Sequence, residues 1–234
     1  MKHNHIFAAL AGSIAVCTAL TGCASAAPDV NAEQTAAAAA TITLNGGSAS
    51  VQGKGAAVQG TVITISDAGT YRITGTLDDG QIVIDAGKDD AVTLVLDNAN
   101  ISCSNSAGIY AKQAGTTTLL LQDGTQNSVS DAAQYAYPDG GDEPDAAIFA
   151  KDDLTIAGSG TLTVTGSFNN AIGSKDNLLI ESGTLIVTAA NDGLRGRDSV
   201  TITDGNFTID AQGDGIKSNN DEDAEKGWIT LSGG

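Results

Sequence analysis

The sequence predicts an all-β fold, a parallel β-solenoid with about 22 residues per coil, and three observations lead there. A register returns along the chain: Ala147–Asp152, Ala171–Asp176, Gly193–Asp198 and Gly215–Asn220 begin 24, 22 and 22 residues apart. The segments around it are short runs of Val, Ile, Leu and Thr broken by Gly, Asp and Asn, with no helical periodicity. A repeat this short reads as stacked coils whose equivalent residues lie about 4.8 Å apart, so each recurring position becomes a ladder.

The chain opens with residues 1–22, which have the form of a leader: Lys2, then an apolar stretch from Ile6 to Leu20 that is too short to span a bilayer. The box Leu20-Thr21-Gly22-Cys23 resembles the bacterial lipoprotein signal, where cleavage before the cysteine leaves it acylated. Cys23 is thus the expected lipidation site, with a cell-surface location and membrane contact only through that lipid. Cys17 would leave with the leader, which strands Cys103 without a disulfide partner. Residues 23–40, rich in Ala and poor in large apolar side chains, read as a disordered tether.

From Thr41 to Ile84, period-2 runs separated by Gly46-Gly47, Asp67-Ala68-Gly69 and Asp79-Gly80 predict a β cap over the first coil. The coils proper are expected from Val92 onward, and three strands per coil, as in Ile172–Ser174, Leu178–Ile180 and Leu185–Val187, imply a triangular cross-section. The inward ladders are then Ile109/Ile148/Ile172/Leu194/Ile216, Leu154/Leu178/Val200, Ile156/Ile180/Ile202, Leu162/Leu185/Phe207 and Val164/Val187/Ile209. The interval from Ile109 to Ile148 is 39 residues where 22 to 24 are expected. Its surplus, Asp131–Asp145 with Tyr135, Tyr137, Asp139, Asp142 and Glu143, is a long acidic loop of the kind that often carries function. Ser232-Gly233 aligns with the turn Ser182-Gly183, so the last coil is expected to be truncated at its C-terminal end. Residues 41–234 form one domain in this reading.

With 28 acidic against 11 basic residues and a net charge of −17, nucleic acid and anionic lipid are poor partners. His3 and His5, the two histidines, both lie in the leader, so no His-based triad or zinc site is expected, and there is no phosphate loop or dinucleotide fingerprint. Two acidic or amide ladders flank the repeated strand. One is Asp145, Asn170, Asp192 and Asp214; the other is Asp152, Asp176, Asp198 and Asn220, continued by Asp221. Carboxylates stacked at about 5 Å repel one another, and Ca²⁺ between coils would neutralise them with carboxylate and carbonyl oxygens. The alternative is that Asp and Asn recur because turns favour them, with Lys151, Lys175 and Arg197 neutralising their neighbours.

The outward ladder Tyr110, Phe149, Gly173, Arg195, Lys217 runs beside Lys112, Lys151, Lys175, Arg197, so most of the cations line one face. Rings at one end and Arg/Lys at the other would stack on sugars and pair with carboxylates, as in a uronate polymer. A self-satisfied ladder of Lys/Arg with adjacent Asp is the competing account.

The set Gly75–Ile82, Val92–Asp97, Ile148–Ile156, Asn191-Asp192-Gly193-Leu194-Arg195-Gly196 and Gly213–Asp221 resembles the bacterial surface carbohydrate-binding domain first described in a cellulosome-forming clostridium. That resemblance, from about Thr41 onward, implies a right-handed single-stranded parallel β-helix similar to pectate lyases. It also implies bound Ca²⁺, with Asp192 and Asp214 among its positions, and binding of acidic polysaccharide such as polygalacturonate. The preferred reading is a monomeric, lipid-anchored, non-catalytic polysaccharide-binding module. One alternative is a Ca²⁺-dependent polysaccharide lyase using Lys217 or Arg195 as base; another is a structural surface or adhesion protein.

Overall fold

The computed structural model describes residues 38–137 and 140–234. The leader, Cys23 and nearly all of the expected tether lie outside the described residues, as does Asp139. Every element of regular structure that is described is a strand, and the strands form two sheets, one of 13 and one of eight.

The smaller sheet is mixed. Its parallel stack runs through Val62–Ile65, Gln81–Asp85, Ile109–Gln113, Ala146–Ala150, Asn170–Ser174, Leu194–Gly196 and Ile216–Lys217, with Ala56–Gln59 added antiparallel at one edge. The larger sheet has two parallel arms. One passes from Ala91–Ser102 through Thr116–Leu121, Asp153–Gly158, Asn177–Ile180 and Ser199–Ile202 to Trp228–Leu231. The other passes from the same strand through Gln126–Ser130, Thr161–Gly166 and Thr184–Ala189 to Asn206–Ala211.

This arrangement corrects the expected right-handed single-stranded parallel β-helix with three separate faces. The fold is all-β, with a parallel sheet curled into a half-barrel and a second, mixed sheet against it. The cause is Ala91–Ser102. Its first half pairs with Thr116–Leu121, and Asn100–Ser102 pairs with Ser128–Ser130, so two of the anticipated faces grow from one continuous strand. Asp97-Asn98 has the side-chain chemistry of a turn, which would end a strand at Leu96. Instead Asn98 takes a left-handed conformation (φ 54°), which Asn tolerates, and the strand continues through it. A register shift opposite, at Thr74/Gly75, absorbs the bend, and the amide of Ala99 donates to buried Asn127 Oδ1 at 2.9 Å.

Parallel stacking also starts earlier than the sequence suggested, since Ala40–Gly46 already pairs parallel with Gly69–Leu77. Two antiparallel pairings, Ala40–Gly46 with Ala49–Gly53 and Ala56–Gln59 with Val62–Ile65, close that end.

The inward ladders stand as expected. Ile109, Ile148, Ile172, Leu194 and Ile216 are consecutive register partners. So are Leu154, Leu178 and Val200, continued by Ile229, and Leu162, Leu185 and Phe207. Apart from the exposed Ile229 they pack in one core, and at about 25 cal/mol per Å² of apolar surface this burial is the main stabilising contribution. Tyr71 is the exception to its aliphatic character. The ring is fully buried, and its hydroxyl donates to the carbonyl of Asp67 at 2.8 Å. Cys103 is buried, and among the described residues it forms no disulfide.

Candidate functional site

With Ile109, Ile148, Ile172, Leu194 and Ile216 facing the core, the period of two turns the next residue of each strand outward. Tyr110, Phe149, Gly173, Arg195 and Lys217 are consecutive register partners on the outer face of the smaller sheet. Lys151, Lys175 and Arg197 follow the ends of three of these strands.

The insertion folds back onto this face. Ala136 donates its amide to Asn105 O at 2.9 Å, and the Tyr137 hydroxyl donates to Pro144 O at 2.8 Å. Tyr135 stacks on Phe168 with ring centres 4.3 Å apart, while its hydroxyl donates to Asp131 at 2.6 Å. Phe149 is only 3% exposed, and its ring centre lies 6.0 Å from that of Tyr110. Of the two aromatic rungs, Tyr110 alone is partly exposed.

Glu143, on the insertion, is shared by two rungs of the cationic ladder. Lys151 binds its Oε2 at 2.9 Å and Lys175 binds its Oε1. Burial alone would raise this carboxyl, but hydrogen bonds from Lys175 and Lys151 hold it below the usual carboxylate range. Asp145 behaves in the opposite way. Its desolvation outweighs the attraction of Arg195, whose Nη1 donates to Oδ2 at 2.9 Å, and the carboxyl is pushed up. Oδ1 of Asp145 is buried with no hydrogen-bond partner among the described residues.

Two clefts flank Glu143. One of about 480 Å³ is lined by Gln81, Val83, Tyr110, Tyr137, Glu143 and Pro144, among others. The other, about 230 Å³, is charged, with Asp142, Asp145, Lys175, Arg195 and Arg197 around Gly173.

The first acidic ladder is stacked as expected and threaded with hydrogen bonds. Asp192 N donates to Asn170 Oδ1 at 3.2 Å, and Asp214 N donates to Asp192 Oδ1 at 3.0 Å. Lys217 joins Asp192 and Asp214 at 3.0 and 3.1 Å, and hydrogen bonds to these two carboxylates raise its ammonium pKa. In the second ladder Asn220 donates to Asp198 Oδ1 at 2.6 Å and Lys226 to Oδ2 at 2.7 Å. Arg197 pairs with Glu222 at 2.6 Å rather than with neighbouring Asp198. The amide of Ala114 donates to Asp152 Oδ2 at 3.3 Å. Asp176 is pushed up, by burial first and then by Asp198, Asp153 and Asp152. Asp221 is exposed at the end of this run. Among the described residues no three acidic or thiol side chains converge into a ready metal cage.

Sequence reasoning thus placed the strip but missed Glu143 as its partner, read Glu222 as part of a candidate cation loop (Asn219, Asn220, Asp221, Glu222 and Asp223) rather than as the partner of Arg197, and missed Lys226 as that of Asp198. The acidic composition of 131–145 was the one available signal for Glu143.

A rigid β frame that presents a ribbon of cations, with clefts cut beside it, has the form of a carbohydrate-binding surface. A family model described as "Carbohydrate-binding domain-containing protein" matches residues 59–234, and the chain belongs to this family. A protein of the same description from Acetivibrio thermocellus is 41% identical over 183 residues, which make up 77% of this chain and 64% of that relative's length. Among solved structures, the polysaccharide lyase-like protein from C. thermocellum, as a gadolinium derivative, matches with a TM-score of 0.81 at 40% identity. That likeness covers 83% of this chain and 79% of the other.

Proposed function

We propose that the chain is a non-catalytic module that binds uronate-containing polysaccharide in a Ca²⁺-dependent manner, anchored at the cell surface through lipidated Cys23. The observation that carries the reading is the cationic strip itself. Lys151 and Lys175 already hold a carboxylate, that of Glu143, and Arg195 holds that of Asp145. The same donors on successive strands suit carboxylates repeated along a polymer, with Tyr110 supplying an amphipathic ring at the strip's end.

For Ca²⁺, the two ladders differ in fitness. Asp192 has both carboxylate oxygens engaged, by Asp214 N and by Lys217, so a cation there would have to displace an ammonium. Asp176 is crowded by Asp152, Asp153 and Asp198, and a hard cation would relieve that repulsion. Asp152 and Asp176 are therefore the better candidates, whereas Asp198, like Asp192, has both oxygens engaged, by Asn220 and by Lys226. The similar solved structure is a gadolinium derivative, and a hard trivalent ion also seeks oxygen ligands.

The lyase alternative has one point in its favour, the description of that relative as polysaccharide lyase-like. Against it, a catalytic base must shed its proton, whereas Lys217 is held protonated by Asp192 and Asp214 and Arg195 is tied to Asp145. The deciding experiment incubates the purified domain with polygalacturonate, with Ca²⁺ and with chelator, following retention on the polymer and ultraviolet absorbance of unsaturated uronide. Ca²⁺-dependent retention without absorbance supports the module. An absorbance rise that Lys217→Ala or Arg195→Ala abolishes makes the protein a lyase, and no retention with no absorbance leaves a structural role.

A further inference from the structure

A second outward face, on the larger sheet, lacks charge. On Thr161–Gly166 and Thr184–Ala189 the period of two turns Thr161, Thr163 and Thr165 outward, with Thr184, Ile186 and Thr188 as their register partners. Ser128 and Ser130 continue these rows on one side and Thr208 on the other, until Asp210 ends its row with a carboxylate. In a chain of net charge −17 such a field is unexpected, because exposed positions are where charged side chains are normally placed.

At the middle of the field stands Ile186, 42% exposed. A single exposed isoleucine is ordinary, but this one lies among methyl-bearing threonines. The hydroxyls of Thr163, Thr165 and Thr188 have no hydrogen-bond partner among the described residues. The other arm carries a similar ladder, Thr93, Thr118, Thr155 and Leu179, yet Arg72 and Asp153 stand in the rows beside it. A cation or a polyanion finds no complement on a flat array of neutral hydroxyls and methyls. A second copy of this chain does, since its rows repeat the same spacings, about 4.8 Å between strands and about 6.6 Å between outward residues. The faces that bear carboxylates would repel that copy, and this one would not.

We propose that two copies of the chain meet at this face, sheet against sheet, about a two-fold axis passing near Ile186. Each Ile186 then packs on its counterpart, and the free threonine hydroxyls bond across the junction. Four strands supply the face, so it measures roughly 15 Å by 15 Å. That is well short of the ~800 Å² per partner of a standard interface, and the pair is accordingly weak and reversible. The cation strip belongs to the smaller sheet, so the inference stands whether or not that strip binds polysaccharide.

Sedimentation equilibrium of the purified protein tests it. The weight-average mass should rise with concentration over the ~10⁻⁵–10⁻³ M range of a weak complex, and rise further when salt screens the repulsion between two acidic chains. Ile186→Lys reduces the net negative charge, which alone would favour association, yet it sets two like charges at the axis and should weaken association about tenfold. Thr163→Lys should weaken it severalfold. In the wild type the Ile186 δ-methyl resonance should shift with protein concentration, and that of buried Ile172 should stay put. A wild type that remains monomeric across that range overturns the proposal. So does association that weakens with salt or survives both substitutions, since either places the contact elsewhere. A monomer that adheres to an insoluble neutral polysaccharide, and no longer does so as Ile186→Lys, would give the face to that polymer and equally overturn the pairing. Should Ile186→Lys fail to fold, Thr163→Lys and the wild-type methyl shift decide the question alone.

Discussion

The ammonium of Lys217 lies 3.0 Å from Oδ2 of Asp192, a carboxylate only 3% exposed. Asp192 Oδ1 meanwhile accepts the amide of Asp214, so one cation and one backbone donor hold a nearly buried charge. Lys217→Met strands that charge and is expected to cost about 1–3 kcal/mol, below the full value for a buried pair because Lys217 is itself 35% exposed. Urea unfolding at neutral pH measures it, and Asp192→Asn added to Lys217→Met should recover most of the loss. Unchanged stability in Lys217→Met would show that this pair does not hold the turn.

Leu178 is fully buried between Leu154 and Val200 in the core ladder. Close-packed neighbours on both rungs leave little room for relaxation, so Leu178→Ala is expected to cost about 2–5 kcal/mol. Denaturant midpoints give the answer, and a loss under about 1 kcal/mol would mean that the ladder tolerates a cavity there.

Glu143 competes, in the proposed function, for the cations a polymer would use. Glu143→Gln should tighten retention on polygalacturonate, seen as elution at higher salt; weaker retention would show that Glu143 orients Lys151 and Lys175 instead. The pH dependence has a definite sign. Glu143 is lowered in the folded protein, so its ion pairs stabilise above its unfolded value and are lost as pH falls through the lowered one. Asp145 is raised, so it favours the fold when protonated and costs stability as pH rises through its raised value. Carboxyl carbon NMR titration should find Glu143 below an ordinary glutamate and Asp145 above an ordinary aspartate, and a Glu143 raised above the ordinary value would contradict its ion pairs with Lys151 and Lys175.

Asp176 offers the metal test. Ca²⁺ at a hundred times its dissociation constant would stabilise the fold by about 2.7 kcal/mol, read as a rise in melting temperature that a chelator reverses. Asp176→Asn should remove the rise and, without Ca²⁺, should leave the protein no less stable, because a crowded charge is gone. A wild type indifferent to Ca²⁺ would take the ion away from this ladder.

The core was legible in the sequence because parallel strands in register repeat their apolar residues at a fixed interval, which is why the Ile109 and Leu154 ladders were readable as sequence. The joining of two faces was not, since Asp97-Asn98 reads as a turn and only the surrounding sheet makes it a bend within one strand. The strip from Tyr110 to Lys217 was legible for the same reason as the core. Its partners were not. An insertion has no period, so nothing in the spacing placed Glu143 on Lys151 and Lys175. Likewise Arg197 reaches Glu222, on the segment between Ile216–Lys217 and Trp228–Leu231, rather than Asp198.

Both arms of the curled sheet begin at Ala91–Ser102, and among the described strands each later one pairs with the strand before it and the strand after it, save the last of each arm, which has one partner only. Fraying should therefore start at Asn206–Ala211 and Trp228–Leu231 and die out toward that shared root, a gradient that native-state hydrogen exchange would record and that uniform exchange would refute. The rungs bearing the cations lie at graded distances from the root. Lys217, on the outermost described strand of its sheet, would be the first to slacken, so a bound chain would peel away from that end while its grip near Tyr110 held.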